Sequence, residues 1–187
     1  MASSLDRGRG RARPVRTRGY TLVEVLVMVT IMGLLGAMVV PSLSVADSMR
    51  AQAAVRTIVS DITFLQTDAM AFQRGRAVMF DVSDNSYLAV EVTGNTLDPV
   101  NDLFADTSRP GGFLTQTLSD PDFGGAVLSS VDFGGTANLI FDEMGAPVTT
   151  PGSNTPSSGG RIEITGQVDS YWIEVDGFTG HITTGKM

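Results

Sequence analysis

Glu24 places a carboxylate within a long apolar stretch, so its side chain is the one that most needs a cationic or hydrogen-bonding partner. Residues 18–41 read RGYTLVEVLVMVTIMGLLGAMVVP, and after Arg18 they are almost wholly apolar. A carboxylate removed from water is costly unless it is paired, so such a residue is expected to have a partner. A glutamate at a membrane interface with no partner is the simpler alternative.

The other reactive side chains do not form a catalytic or metal-binding set. The chain has no cysteine, which excludes disulfides, thiolate metal sites and cysteine nucleophiles. Its single histidine, His181, cannot make an all-histidine metal site, and no phosphate-binding glycine loop is present. We therefore predict no enzyme activity, no cofactor and no metal. Two acidic clusters could offer calcium ligands but lack EF-hand spacing: Asp81, Asp84 and Asn85, and Asp98, Asn101, Asp102 and Asp106.

The elements around Glu24 suggest a membrane segment. No charged residue occurs from Val25 to Ala46, and about 20 apolar residues suffice to cross a bilayer. Residues 1–19 carry six of the 13 basic residues of the chain and one of its 20 acidic residues. The rest of the chain therefore has seven basic residues against nineteen acidic ones. Positive flanks stay on the cytoplasmic side. A conventional cleaved signal peptide is the alternative, but its apolar core is normally shorter.

The stretch RGYTLVEVL resembles the processing site of the type IV pilin and pseudopilin superfamily. In that pattern a basic leader ends in glycine, an aromatic residue follows, and a glutamate falls at the fifth position before a long apolar helix. Gly19, Tyr20 and Glu24 stand at these positions, and Pro41 matches a proline common late in the pilin helix.

The resemblance implies that a prepilin peptidase cleaves between Gly19 and Tyr20 and that the new amine of Tyr20 is N-methylated. It also implies that Glu24 faces the N-terminal amine of a neighbouring subunit during assembly. Gly33, Gly36 and Pro41 would allow the helix to pack closely or to unwind locally, since glycine and proline weaken helices.

Helical spacing continues beyond Pro41. Apolar residues recur three or four apart, which predicts an amphipathic helix whose apolar stripe packs against a globular domain. The stripe comprises Val55, Ile58, Val59, Ile62, Leu65, Ala69 and Phe72. The helix is expected to end near Arg74-Gly75, so one helix extends from about residue 21 to 74.

The remainder predicts an antiparallel sheet. Residues 77–82 and 87–92 form a hairpin, and further strands are expected within 111–118, 126–133, 137–142, 161–166, 170–176 and 180–185. Residues 93–112 are predicted to be a mobile surface loop, and the Gly-, Pro- and Ser-rich residues 143–160 a loop. The predicted class is α+β, with the long helix packed on an antiparallel sheet.

The predicted organisation is a leader (1–19), a transmembrane and filament-core helix (20–46), an amphipathic helix (47–75) and a β-rich domain (76–187). The Phe141–Gly145 turn and the Thr179-Gly180-His181 turn resemble H-type minor pseudopilins and FimT-like pilins. The resemblance implies a structural minor pseudopilin of type II secretion, in the bacterial inner membrane with a periplasmic domain. A minor pilin of a type IV pilus, or a DNA-uptake pilin, is the alternative.

The resemblance also implies the partners. They are the prepilin peptidase, other pseudopilins or pilins, the inner-membrane assembly platform and the membrane. Beyond Arg76 the only cations are Arg109, Arg161 and Lys186. DNA affinity depends on Lys and Arg that neutralise phosphates, so we predict no nucleic-acid partner.

Overall fold

The computed structural model describes residues 19–187, and the side chains of residues 38–46 are outside that description. The chain divides into two units, one up to Val40 and one from Pro41 to Met187, and each is described by itself. The predicted leader, 1–19, lies outside the described residues apart from Gly19.

One helix, α1, runs from Leu22 to Phe72. Its end lies two residues before the predicted stop. Gln73 adopts a left-handed conformation with φ of 52°, and the Arg74 amide donates to the Ala69 carbonyl at 3.2 Å. This six-to-one hydrogen bond closes the helix as a Schellman motif does, with glutamine where glycine is usual.

The apolar stripe of α1 forms one side of the domain core. Its buried members fall three or four residues apart, as predicted: Ala51, Ala54, Val55, Ile58, Ile62, Leu65 and Ala69. Val59 is only partly buried. The prediction was wrong for Phe72, which is 66% exposed because α1 ends there, beyond the part of the helix that the sheets cover.

The strands form two antiparallel sheets, whereas the sequence predicted one. In chain order they are β1 (Arg76–Asp81), β2 (Ser86–Glu91), β3 (Thr115–Thr117), β4 (Val127–Asp132), β5 (Asn138–Phe141), β6 (Pro147–Val148), β7 (Gly160–Thr165), β8 (Ser170–Val175) and β9 (Ile182–Lys186). The first sheet has the order β3-β2-β1-β5-β6, and the second has the order β4-β7-β8-β9. Inner residues of both sheets join the α1 stripe in one core.

Asn85 holds the two sheets together at the β1–β2 turn. It has a φ of 52°, a conformation that asparagine tolerates. Its Nδ2 donates to the Ala126 carbonyl at 2.9 Å, and its Oδ1 accepts from the Leu128 amide at 2.8 Å. A turn of the first sheet thereby fixes the start of β4 in the second sheet.

The segment 93–112 is more than the predicted surface loop. Phe104 is buried, its amide donates to the Ala89 carbonyl at 2.9 Å, and its carbonyl accepts from the Leu114 amide at 3.0 Å. Leu97 and Leu103 pack against a small second core on the outer face of the first sheet. The predicted loop 143–160 likewise contains β6, because Pro147 and Val148 are buried beside β5.

Of two acids of α1 that the sequence placed away from the apolar stripe, Asp61 is buried and Asp68 is partly buried. The Asp61 carboxylate accepts from Tyr87 Oη at 2.6 Å and from the Arg109 guanidinium. Asp68 accepts from Arg76 Nε at 2.6 Å. Each acid can leave water to this extent because an arginine from outside the helix compensates its charge.

Among the residues that the structure describes, no helix is both long enough and apolar enough to cross a membrane. The membrane-spanning role predicted for residues 20–46 is therefore not confirmed.

Candidate assembly surface on the N-terminal helix

The peptide bond between Gly19 and Tyr20 lies just before the helix. Both residues are exposed, Tyr20 by 71%, and neither is helical. The first helical hydrogen bond joins the Val25 amide to the Thr21 carbonyl at 3.2 Å. The Gly19–Tyr20 bond thus lies outside the hydrogen-bonded helix.

Glu24 lies in the first turn of α1 and takes part in its N-terminal cap. Its amide donates to Thr21 Oγ1 at 3.2 Å, which makes Thr21 the N-cap residue. The spacing Thr-x-x-Glu is that of a capping box, and an acid here also favours the helix dipole. Sequence analysis missed this role, although the spacing alone could have indicated it.

The helix that follows is apolar on every side. Consecutive residues from Val25 to Val29 are all exposed, so the exposed apolar surface runs around the whole circumference. Residues 22–37 contain only two polar side chains, Glu24 and Thr30. Thr30 Oγ1 donates to the Leu26 carbonyl at 2.8 Å, which satisfies its hydroxyl within the helix.

Glu24 is therefore the only charged side chain of residues 22–37, and no basic side chain of the described chain pairs with it. A helix that is apolar all round is normally covered by lipid or by other helices. Once covered, it would hold a single carboxylate that needs a cationic partner.

The predicted packing and unwinding residues lie within an unbroken helix. Gly33 and Gly36 are exposed, and an added Cβ atom would meet nothing within 4 Å at either position. The described unit thus gives no packing reason for these glycines. The backbone remains helical through Pro41, so local unwinding stays a prediction.

The acidic clusters are occupied by local hydrogen bonds. Asp98 Oδ1 accepts from the Val100 amide at 2.8 Å, and Asp98 Oδ2 accepts from Asn101 Nδ2 at 2.7 Å. These bonds lower the pKa of Asp98, with the side chain of Asn101 as the main cause. Asp81 is held in the same way by Ser83. Within the described residues no group of three or more acids, histidines or cysteines could hold a metal ion.

The three cations beyond Arg76 all interact with acids of the same chain. Arg109 pairs with Asp61, and Lys186 Nζ lies 2.8 Å from Asp169 Oδ1. The Arg161 guanidinium lies over the Trp172 ring, 4.8 Å from its centroid, and its Nε is 4.0 Å from Glu163. The absence of a nucleic-acid partner remains a prediction.

Comparison with solved structures finds two structures of the minor pseudopilin EpsH from the type 2 secretion system of Vibrio cholerae. One is 12% identical with a TM-score of 0.53, over 73% of this chain and 97% of that chain. The other is 13% identical with a TM-score of 0.51, over 73% of this chain and 95% of that chain. No protein-family model matches the sequence, and no curated protein matches it.

These likenesses define the class of fold. The chain has a type IV pilin and pseudopilin-like fold, with a long N-terminal helix and antiparallel sheets. Both likenesses are to a minor pseudopilin of a type 2 secretion system. The fold that the N-terminal motif implied is confirmed.

Proposed function

We propose that this protein is a structural minor pseudopilin of a type II secretion system and has no enzyme activity. The observation that carries the proposal is the helix of residues 22–37, which is apolar on every side and uncovered in the single chain. The fold, which resembles that of a minor pseudopilin, supports the same role. Such a helix is stable in water only when other helices or lipid cover it.

In this proposal a prepilin peptidase cleaves between Gly19 and Tyr20, and the new amine of Tyr20 is methylated. The helix then packs among the helices of other pseudopilins in the core of a fibre. There the Glu24 carboxylate pairs with the N-terminal amine of a neighbouring subunit and fixes its axial position. The pairing compensates two charges that would otherwise be buried alone.

Before assembly we propose that the helix is held in the inner membrane as a single pass, with the leader cytoplasmic and the β domain periplasmic. The support lies in the sequence, where an arginine-rich leader precedes the uncharged run from Val25 to Ala46. From the membrane, the assembly platform would extract the subunit into the fibre. Fractionation and protease accessibility of the β domain in spheroplasts test this topology.

The decisive experiment separates the charge of Glu24 from its capping role. Glu24→Gln retains a side chain that suits a capping box but removes the charge. Thr21→Val removes the cap and retains the charge. We expect normal cleavage in all variants, with N-terminal mass spectrometry showing methylated Tyr20, but poor incorporation of Glu24→Gln and Glu24→Ala into fibres.

Incorporation is measured by crosslinking through single introduced cysteines, since the chain has none of its own. Normal incorporation of Glu24→Gln together with a defect in Thr21→Val would assign Glu24 to capping alone and refute the pairing. Deleting the gene should stop protein secretion. A loss of twitching with intact secretion would assign the subunit to a type IV pilus instead.

A further inference from the structure

Two turns at the C-terminal end of α1 meet at a single side chain. Gln66 Nε2 donates to the Gly145 carbonyl at 2.9 Å and lies 3.3 Å from the Thr179 carbonyl. The first turn, residues 142–146, joins β5 to β6, and the second, residues 176–181, joins β8 to β9. One amide group therefore fixes a turn from each of the two sheets at neighbouring positions.

Both turns are held against the helix by glycine. Gly145 has φ of 75° and Gly180 has φ of 69°. A Cβ atom at Gly145 would lie 2.7 Å from Met70 Cγ, and one at Gly180 would lie 2.3 Å from Gln66 Nε2. Only glycine permits both the conformation and the approach.

Each turn is also rigid within itself. Asp142 Oδ1 accepts from the amides of Met144 and Ala146 at 2.9 and 2.8 Å. Asp176 Oδ1 accepts from the Thr179 amide and hydroxyl, both at 2.7 Å. Such Asx turns fix the backbone by local hydrogen bonds.

These fixed turns present large apolar side chains to solvent. Met144 and Phe178 are each 76% exposed, and Met70, which packs on Gly145, is about half exposed. Aromatic side chains and methionine are enriched where proteins bind one another. A turn whose backbone is fixed before binding also lowers the entropy cost of association.

The charge around this surface indicates what binds it. The two turns contain Asp142, Glu143 and Asp176 but no lysine or arginine. The unit from Pro41 to Met187 carries eighteen acids against seven cations. A second copy of this chain would bring acid against acid, which disfavours self-association.

We infer that Met70, Met144 and Phe178 form a docking surface for a different protein, whose complementary face is apolar and rimmed by lysine or arginine. This turn surface lies wholly in the second unit and is separate from the apolar helix of residues 22–37. Its occupancy does not require the N-terminal helix to assemble. The inference therefore stands independently of the proposed function.

The test uses the absence of native cysteine. Met144→Cys and Phe178→Cys each place one thiol on the turn surface, and Val100→Cys places a control thiol at a site that is 77% exposed. Labelling by N-ethylmaleimide is compared between the purified chain and the full chain in its host cells. Because all three positions are exposed, these changes should leave the fold intact.

We expect the thiols at 144 and 178 to react about tenfold more slowly in cells, as in a desolvated binding patch, while Val100→Cys is unchanged. Glu143→Lys, added to either cysteine variant, should restore fast labelling in cells because the new lysine repels the basic rim of the partner. Asp84→Lys makes the same charge change at another exposed turn and should not restore it. Equal labelling in cells and in the purified chain would overturn the inference.

Two further outcomes would assign another occupant and also overturn the inference. If the thiols at 144 and 178 react slowly in the purified chain at high concentration, and more slowly still with Glu143→Lys, the occupant of the surface is a second copy of the chain. Protection of the purified chain by phospholipid vesicles alone would identify a lipid surface.

Discussion

Arg76 Nε donates a hydrogen bond of 2.6 Å to Asp68 Oδ2, and both side chains are nearly inaccessible to solvent. The pair joins α1 to the first residue of β1. The guanidinium also donates to the Gly75 carbonyl at 3.2 Å and lies 5.2 Å from the centroid of the Phe104 ring. Helix, sheet and the segment after β2 thus share one buried cation.

Removing the acid of this pair should be costly. Asp68→Ala leaves the buried Arg76 guanidinium with only the longer contact to Glu91 Oε2 at 3.7 Å, and we expect a loss of up to about 3–5 kcal/mol in the free energy of unfolding. Asp84→Ala, at an exposed turn, should change it by less than about 0.5 kcal/mol. Urea denaturation of the domain, residues 47–187, measures both. Equal losses of unfolding free energy in the two variants would show that the Asp68–Arg76 pair stabilises the domain no more than an exposed acid does.

The helical stripe offers a second comparison. Ile62 is 1% exposed within the core, whereas Phe72 is 66% exposed, although the sequence pattern placed them on the same face. Ile62→Ala should cost about 2–5 kcal/mol through lost burial and a cavity. Phe72→Ala should cost less than about 0.5 kcal/mol. A large loss for Phe72→Ala in urea denaturation would contradict the exposed position.

Two acids should affect the pH dependence of stability with opposite sign. Hydrogen bonds from Thr179 and Phe178 lower the pKa of Asp176 below its ordinary value of 3.8, so its contribution is present above that pH and lost on acidification. Burial raises the pKa of Asp61 above 3.8, despite hydrogen bonds from Tyr87 and Arg109. Its contribution is therefore present below 3.8 and lost as pH rises.

Asp176→Asn, which keeps an acceptor oxygen in the turn, should make the rise of unfolding free energy with pH shallower around and below pH 3.8, because the lowered folded-state pKa lies there. Asp61→Asn should make the dependence of unfolding free energy on pH steeper from pH 3.8 upward, even if it lowers stability throughout. Urea midpoints across this range measure both slopes. Changes of the same sign in the two variants would refute the assignment.

Calcium should not stabilise the domain. Asp98 and Asp106 already accept hydrogen bonds from their own turns, and Asp106 lies 3.4 Å from Arg109 Nε. Binding calcium would have to break these interactions. We expect no shift of the melting temperature on adding millimolar calcium. A rise that chelator reverses, and that Asp98→Asn removes, would show that the loop binds calcium.

The sequence carried enough information for the helix and most strands. Periodicity of 3.6 residues identified Ile58, Ile62 and Leu65 as core, because burial of one helical face requires that spacing. The end of α1 was misplaced since its left-handed residue is Gln73, not the glycine two residues on. The Thr-x-x-Glu spacing of Thr21 and Glu24 indicates a capping box from the sequence alone.

Other features depend on contacts that no local pattern encodes. Alternating strands look alike whichever sheet they join, so the division into two sheets was not predictable. The burial of Asp61 requires Arg109, 48 residues away, and the burial of Phe104 requires hydrogen bonds to Ala89 of β2 and to Leu114 just before β3. The predicted domain limits and the roles of Gly33, Gly36 and Pro41 stay predictions.

The path of the chain between its two sheets governs how this domain can fold. β4 belongs to the second sheet, yet it lies in sequence between β3 and β5 of the first. Ser48 Oγ, near the start of the unit, donates to Asp169 Oδ2 at 2.8 Å across 121 residues. Pairings this distant fold slowly, because loop-closure entropy is lost before contacts form. The part of the α1 stripe that packs on the second sheet therefore stays uncovered during synthesis until β7 and β8 emerge, and exposed apolar surface of this kind makes a nascent domain prone to aggregate.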